Sequence, residues 1–213
     1  MKKAATTRYP SPIVSSVLSD EEKIEAISAH FEGIMTTLGL DLTDASLVQT
    51  PRRVAEMYVK EVFSGLDSKN FPDVGLFEED HVSEAGHHSL VVTKCGFTSF
   101  CEHHFVPMMG VAFVAYIPRG KLLGLSKIHR IVRYFAKRPQ LQERLTSQIA
   151  DSLSHILASS DVAVSIQAQH LCVIARGVHD EESQTTTSYF GGAFTHDAAK
   201  REEFFQAIQR LQK

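Results

Sequence analysis

Between residues 89 and 176 the spacing of apolar residues changes from two to about four and back to two. No other feature of the chain constrains its fold as much. Ser89 to Thr93 and Val111 to Ile117 read as strands. Ile128, Ile131, Val132 and Phe135 then fall at helical spacing, in a helix that begins near Ser126 and ends near Arg138. Pro139 cannot continue that helix. It restarts the chain into a second one, in which Leu141, Leu145, Ile149, Leu153 and Leu157 recur every four residues. Val162 to Ala168 and His170 to Arg176 return to strand spacing, and a Ser/Thr/Gly-rich stretch from Ser183 to Gly192 leads to a last helix at Asp197. Strands, a helix pair and strands again predict the α+β class, with an antiparallel sheet covered on one face by the helix pair.

The part before the sheet is helical. Residues 1–18 carry Pro10 and Pro12 among Ser and Thr and read as a flexible arm. Ser19 followed by Glu22 is a capping box, with Ile24, Ile27, Phe31, Ile34 and Leu38 at helical spacing behind it and Gly39 at the stop. Thr50-Pro51 opens a second helix, with Thr50 as its cap, running to about Gly65. Residues 66–88 read as a connecting loop whose histidines, His81, His87 and His88, are solvated rather than ligands. The organisation expected is an arm over 1–18, a helical hairpin with its loop over 19–88, and a sheet-and-helix domain over 89–213.

A chain of 213 residues can bury one real core and carry a small appendage. A net charge of -3 and a pI near 6.4 argue against a nucleic-acid or membrane-surface role. No apolar run is long enough to span a bilayer. Three cysteines make an unpromising disulfide framework, so a reducing, cytoplasmic setting is expected.

Chemistry concentrates at Cys101-Glu102-His103-His104. Cys101 and His104 are three residues apart, so one turn of backbone can aim both at a common point, and thiolate with imidazole suits zinc. That spacing alone is a weak signal and needs a third ligand. Read as a strand, residues 170–176 put His170, Cys172, Ile174 and Arg176 on one face about 7 Å apart. Leu171, Val173 and Ala175 face the core. Cys172 on that face is either the third ligand or simply a small buried hydrophobe. Three protein ligands would leave a fourth zinc position open, as in catalytic rather than structural sites, with His103 and His170 nearby to carry protons. Ser126, Lys127 and Arg130 cluster in the first turn of their helix, where backbone N–H groups favour an anion such as phosphate. Arg133, Lys137 and Arg138 read as a solvated basic face. Gln142 and Glu143 either read the donor edge of a guanine or face solvent.

From about Leu42 onward the chain resembles the GTP cyclohydrolase I family. The resemblance rests on Thr50-Pro51-Arg52-Arg53, Thr98-Ser99-Phe100-Cys101-Glu102-His103-His104-Phe105, Gly124-Leu125-Ser126-Lys127, Arg138 through Thr146, His170-Leu171-Cys172 and Arg176-Gly177. It implies a zinc-dependent hydrolase of the tunnelling fold, with Cys101, His104 and Cys172 as metal ligands. The resemblance implies that water attacks C8 of GTP, formate leaves and the ribose rearranges to give 7,8-dihydroneopterin triphosphate, the first step towards pterins and tetrahydrofolate in one-carbon metabolism. It also implies that His103 is an acid and His170 a second acid/base, and that Glu143 with Gln142 anchors guanine. Ser126, Lys127, Arg130 and Arg176 would hold ribose and triphosphate, joined by Arg53 from a neighbouring subunit. The assembly implied is a homodecamer of two pentamers with sites between subunits.

Cys95-Gly96 departs from the family's usual acidic or amide residue followed by an aliphatic one, and Cys95 is read as a non-ligand. Two rivals stand beside this reading. A nucleobase deaminase would carry His-x-Glu and Pro-Cys-x-x-Cys, which this sequence lacks. A non-catalytic zinc module would close its site with a fourth protein ligand, Cys95 or His103.

Overall fold

The computed structural model describes residues 7–14, 16–78 and 90–213. His81, His87 and His88 lie outside the described residues.

The capping box at Ser19 forms as the sequence predicts: Glu22 N–H donates to Ser19 Oγ, and Ser19 N–H donates to the Glu22 carboxylate at 2.7 Å. Helix α1 spans Asp20–Thr37, and Gly39, at φ +81°, turns the chain away. Helix α2 spans Thr50–Glu56. Its cap is Gln49 rather than Thr50, which is already helical. The second helix is not continuous to Gly65. A wide π-helical segment, Met57–Val62, follows α2, and a 3-10 turn, Ser64–Leu66, follows that. Arg52 ties α2 to α1 by donating to Glu21 at 2.8 Å.

The short strand β1, Leu76–Glu78, lies within the stretch expected to be loop and pairs antiparallel with β4, Lys121–Leu123. The main sheet has five strands in the order β5-β2-β3-β6-β7. These are β2 (Val91–Cys101), β3 (Pro107–Tyr116), β5 (Pro139–Gln140), β6 (Val162–His170) and β7 (Thr185–Phe190). All its pairings are antiparallel except the two-residue contact of β5 with β2.

Helices α3 (Leu125–Ala136) and α4 (Gln142–Leu157) cover one face. There Ala112, Val114 and Ile166 meet Ile128, Ile131, Phe135, Leu145, Ile149 and Leu153, all essentially without solvent exposure. Burying each large aliphatic or aromatic side chain contributes about 1.5–3 kcal/mol. The opposite face is also covered. Phe113, Ala115 and Ala163 pack on Phe194, Phe204 and Ile208 from two C-terminal helices. These are α6 (Ala193–His196) and α7 (Ala198–Gln212), and Asp197 caps the second. Two covered faces explain why β3 reads as a continuous apolar run rather than a clean alternation.

Arg138, expected on a solvated face, is buried. Its guanidinium lies over the Tyr134 and Phe135 rings, 4.6 and 4.9 Å from their centroids, and donates to Gly65 O at 2.9 Å. Only glycine fits at residue 65, because a Cβ would come within 2.1 Å of Tyr134 O. Within the N-terminal arm, Arg8, Tyr9 and Ser11 dock on α4. The backbone N–H of Arg8 donates to Asp151 at 2.9 Å, and Gln148 Nε2 donates to Tyr9 O at 2.9 Å.

Candidate metal centre and active site

Strand β2 ends on Cys101, which is buried. The next five residues turn back into β3, and two backbone bonds close the turn: Cys101 N–H to Val106 O and Phe105 N–H to Cys101 O, both 2.9 Å. Exposed on this turn, His103 and His104 place their Nδ1 atoms 3.9 and 3.8 Å from Cys101 Sγ.

Cys172 approaches from β6, whose last residue, His170, pairs with Met108 at the start of β3. Here the strand expected over residues 170–176 is corrected. The chain leaves the sheet at His170 and makes a single helical turn, α5, Leu171–Ile174. His170, Cys172 and Arg176 therefore do not form a row on one strand face. By residue type Leu171-Cys172-Val173-Ile174 favours strand, but beyond His170 the one β3 residue left opposite is Pro107, which has no N–H to donate.

The ligand atoms of Cys101, His104 and Cys172 all lie within 4.8 Å of one another. Tetrahedral zinc with ordinary bond lengths would need separations of about 3.5–3.8 Å between such donors. Electrostatics agree with the geometry. Burial pushes the Cys172 thiol up, and the neighbouring Cys101 adds to the rise. A divalent cation between the two sulfurs reverses this by stabilising both thiolates. The donor set fits zinc.

Cys95 is not a candidate for the set. It lies six residues up the same strand, about 20 Å from Cys101, in the core opposite Ala112, and its thiol is pushed up to about 11 by burial.

Glu102 bolts the turn to the helix pair. Its carboxylate pairs with Arg144, with Arg144 Nη2 donating at 3.2 Å, and its backbone N–H donates to Gln140 O at 3.0 Å. Arg144 was not singled out from sequence, where it is one basic residue among many.

Comparison with known proteins decides the family. The model of the family described as GTP cyclohydrolase I matches residues 27–209. The chain is similar to "GTP cyclohydrolase 1" of Aeromonas salmonicida, 52% identical over 200 residues covering 93% of this chain and 90% of the relative. It is likewise similar to "GTP cyclohydrolase 1" of Photobacterium profundum, 53% identical over 199 residues, again covering 93% and 90%. The chain belongs to the GTP cyclohydrolase I family. A solved structure of an archaeosine synthase QueF-Like, in the apo form, matches at TM-score 0.35 and 22% identity, covering 47% of this chain and 91% of that one. That likeness is too loose to carry an argument.

The mixed α+β architecture agrees with the tunnelling fold of GTP cyclohydrolase I. The remaining expected site residues fall into three groups. Arg176 Nη1 lies 3.2 Å from His104 Nε2, at the metal cluster. His170 lies close by, with Nε2 2.7 Å from Gln142 Oε1. The Gln142 amide is buried, and its NH₂ group donates to Ile166 O, Thr185 O and Thr187 Oγ1, each at 3.1 Å. That orientation presents Oε1 to His170, so His170 Nε2–H is the donor and Nδ1 is left as an acceptor. Burial lowers the His170 pKa, opposed by the charge of Glu143. Glu143 itself is exposed at the start of α4.

Ser126, Lys127 and Arg130 form the second group and do not join the cluster. Helix α3 starts just after β4, where Leu123 N–H donates to Tyr116 OH, and Tyr116 pairs with Val91 at the opposite end of β2 from Cys101. Ten residue steps of strand separate those ends, about 30 Å. Lys127 Nζ donates to Asp73 O at 2.7 Å. Arg53, the third, is exposed on α2.

Proposed function

We propose that this GTP cyclohydrolase I opens the guanine ring of GTP at C8, releases formate and closes a new ring from ribose carbons to give 7,8-dihydroneopterin triphosphate. The reading rests on one observation above all: Cys101, His104 and Cys172 converge beside His103 in a chain of this family. Cys101, His104 and Cys172 would hold zinc, which supplies, when bound, the Lewis acidity that readies water for attack near neutral pH.

The protein's own groups do the rest. C8 is a poor electrophile until N7 is protonated, and His103, on the ligand turn but outside the ligand set, delivers that proton. His170 moves a second proton through Nδ1, because Gln142 holds its Nε2–H. Guanine anchoring falls to the exposed Glu143 carboxylate, which can accept two N–H bonds from the base edge. Gln142 supports it from behind, its amide already engaged.

Ser126, Lys127, Arg130, Arg176 and Arg53 hold ribose and triphosphate, where several negative charges call for guanidinium forks and a helix N-terminus. Ser126 and Lys127, in the first turn of α3, stand towards the opposite end of β2 from Cys101 in one chain. This placement supports an active site shared between subunits, and the family resemblance implies a decamer of two pentamers with Arg53 contributed in trans. Among the described residues no helix is long and apolar enough to cross a membrane. All three cysteines are free, which suits the cytoplasm.

The test is incubation of zinc-loaded protein with GTP, then oxidation and pterin fluorescence. Fluorescence is expected. Its absence, under conditions where another family member turns over, overturns the reading.

A further inference from the structure

Phe105 adopts a left-handed backbone, φ +53°, in the turn that carries His103 and His104. The two hydrogen bonds that close this turn between Cys101 and Val106 need some residue in that conformation. For the backbone alone glycine or asparagine would serve best, and a bulky side chain brings strain. The Phe105 ring must therefore contribute something that neither could.

It meets two other rings. Its centroid lies 5.1 Å from that of Phe63 and 6.2 Å from that of Tyr58, both edge-on. Tyr58 belongs to the π-helical segment after α2, and Phe63 follows that segment directly. Phe63 also packs on Phe100 of β2 at 5.6 Å, and Tyr58 on Phe31 of α1 at 6.2 Å. A chain of rings thus runs from the N-terminal helices to the residue beside His104, and the helix widens into its π turn where it meets that chain. Aromatic pairs of this geometry add directional stabilisation beyond area burial, and π turns concentrate at functional sites.

We propose that Phe105 is a positioning residue. Clamped by Tyr58 and Phe63, its ring fixes the strained turn so that His104 Nδ1 faces Cys101 Sγ, and the N-terminal helices thereby set the geometry of the metal centre. The proposal rests on the reading that Cys101, His104 and Cys172 hold the metal.

The experiment uses the full chain and two readouts besides activity: zinc affinity by chelator competition and the absorption spectrum of the cobalt(II) form. Phe105→Gly relieves the backbone strain but removes the clamp. We expect it to fold, bind zinc about 10-fold more weakly, as outer-shell changes typically do, and shift the cobalt bands. Phe105→Tyr, which keeps the ring, should match the parent. Tyr58→Leu, on a different element, should weaken zinc in the same direction, and Tyr58→Phe should not. Wild-type affinity and spectrum in Phe105→Gly would overturn the proposal. Should that variant fail to fold, wild-type values in Tyr58→Leu would do so instead. Cys172→Ala separates the two readings: if it keeps the metal, the ligand assignment fails, whatever the clamp variants do.

Discussion

The two ends of the main sheet are built differently. At the Cys101 end one chain assembles nearly everything a metal centre needs. A strand end, a five-residue turn and a helical turn from β6 bring three donors within 4.8 Å, with Glu102–Arg144 and the Phe105 ring holding the turn from either side. At the Val91 end Ser126, Lys127 and Arg130 open a helix beside β4, with no metal donor set among the described residues there. One end looks like half a site for chemistry and the other like half a site for a polyanion. On the proposed reading, a single GTP draws one end from each of two chains.

The largest expected effect tests that division directly. Cys172→Ala should lose zinc and activity together, measured by metal analysis and pterin fluorescence. Lys127→Ala should keep its zinc but lose most turnover at low GTP. Denaturing the two variants together and refolding them should restore activity at about a quarter of the sites in a random mixture, because a neighbour then supplies the half each lacks. No recovery, with oligomers demonstrably mixed, would break the comparison and return both halves to one chain.

A smaller effect separates two histidines on the same turn. His103→Ala should retain zinc at the parent's affinity while the rate of ring opening falls by about 10²- to 10⁴-fold, the usual contribution of a general acid. Retained turnover would refute the acid role. Loss of zinc would instead make His103 a ligand and close the site.

The legible parts of this molecule are those where local pattern and tertiary environment agree. The leucine repeat of α4, the Ser19–Glu22 cap and the Asp197 cap are set by neighbours in sequence, and the structure follows them. Strand β7 went unread because Thr185-Thr186-Thr187-Ser188 resembles loop composition. Threonine is nonetheless a good strand residue once a partner such as β6 is available. The pairing of β1 with β4 spans more than forty residues and has no local signal. At the site, Cys101 and His104 were legible from spacing. The turn that delivers Cys172 was not, since it depends on where β3 stops offering hydrogen bonds. Nor does spacing along the chain reveal that Ser126 and Cys101 stand at opposite ends of one sheet.

Cys95 offers the smallest effect and a control on the metal end. It shares with Cys101 both strand β2 and the face that turns inward, yet it sits in mid-sheet against the helix pair. Burial pushes its thiol up to about 11, so at neutral pH it is a neutral apolar side chain. Cys95→Ala should leave zinc content and activity unchanged and cost about 1 kcal/mol of stability, as a small cavity in the core does. The pH dependence carries the sharper signal. A thiol whose folded pKa exceeds its unfolded value stabilises the fold below the unfolded pKa, and that stabilisation fades as pH rises towards the folded value. For Cys95 the window runs from about pH 9 to about 11, and the loss is on the order of 3 kcal/mol. Urea melts across that window should therefore fall less steeply for Cys95→Ala than for the parent. Parallel curves would mean that the Cys95 thiol ionises as easily as an exposed one, and the contrast between the buried cysteine and the metal-end pair would be lost.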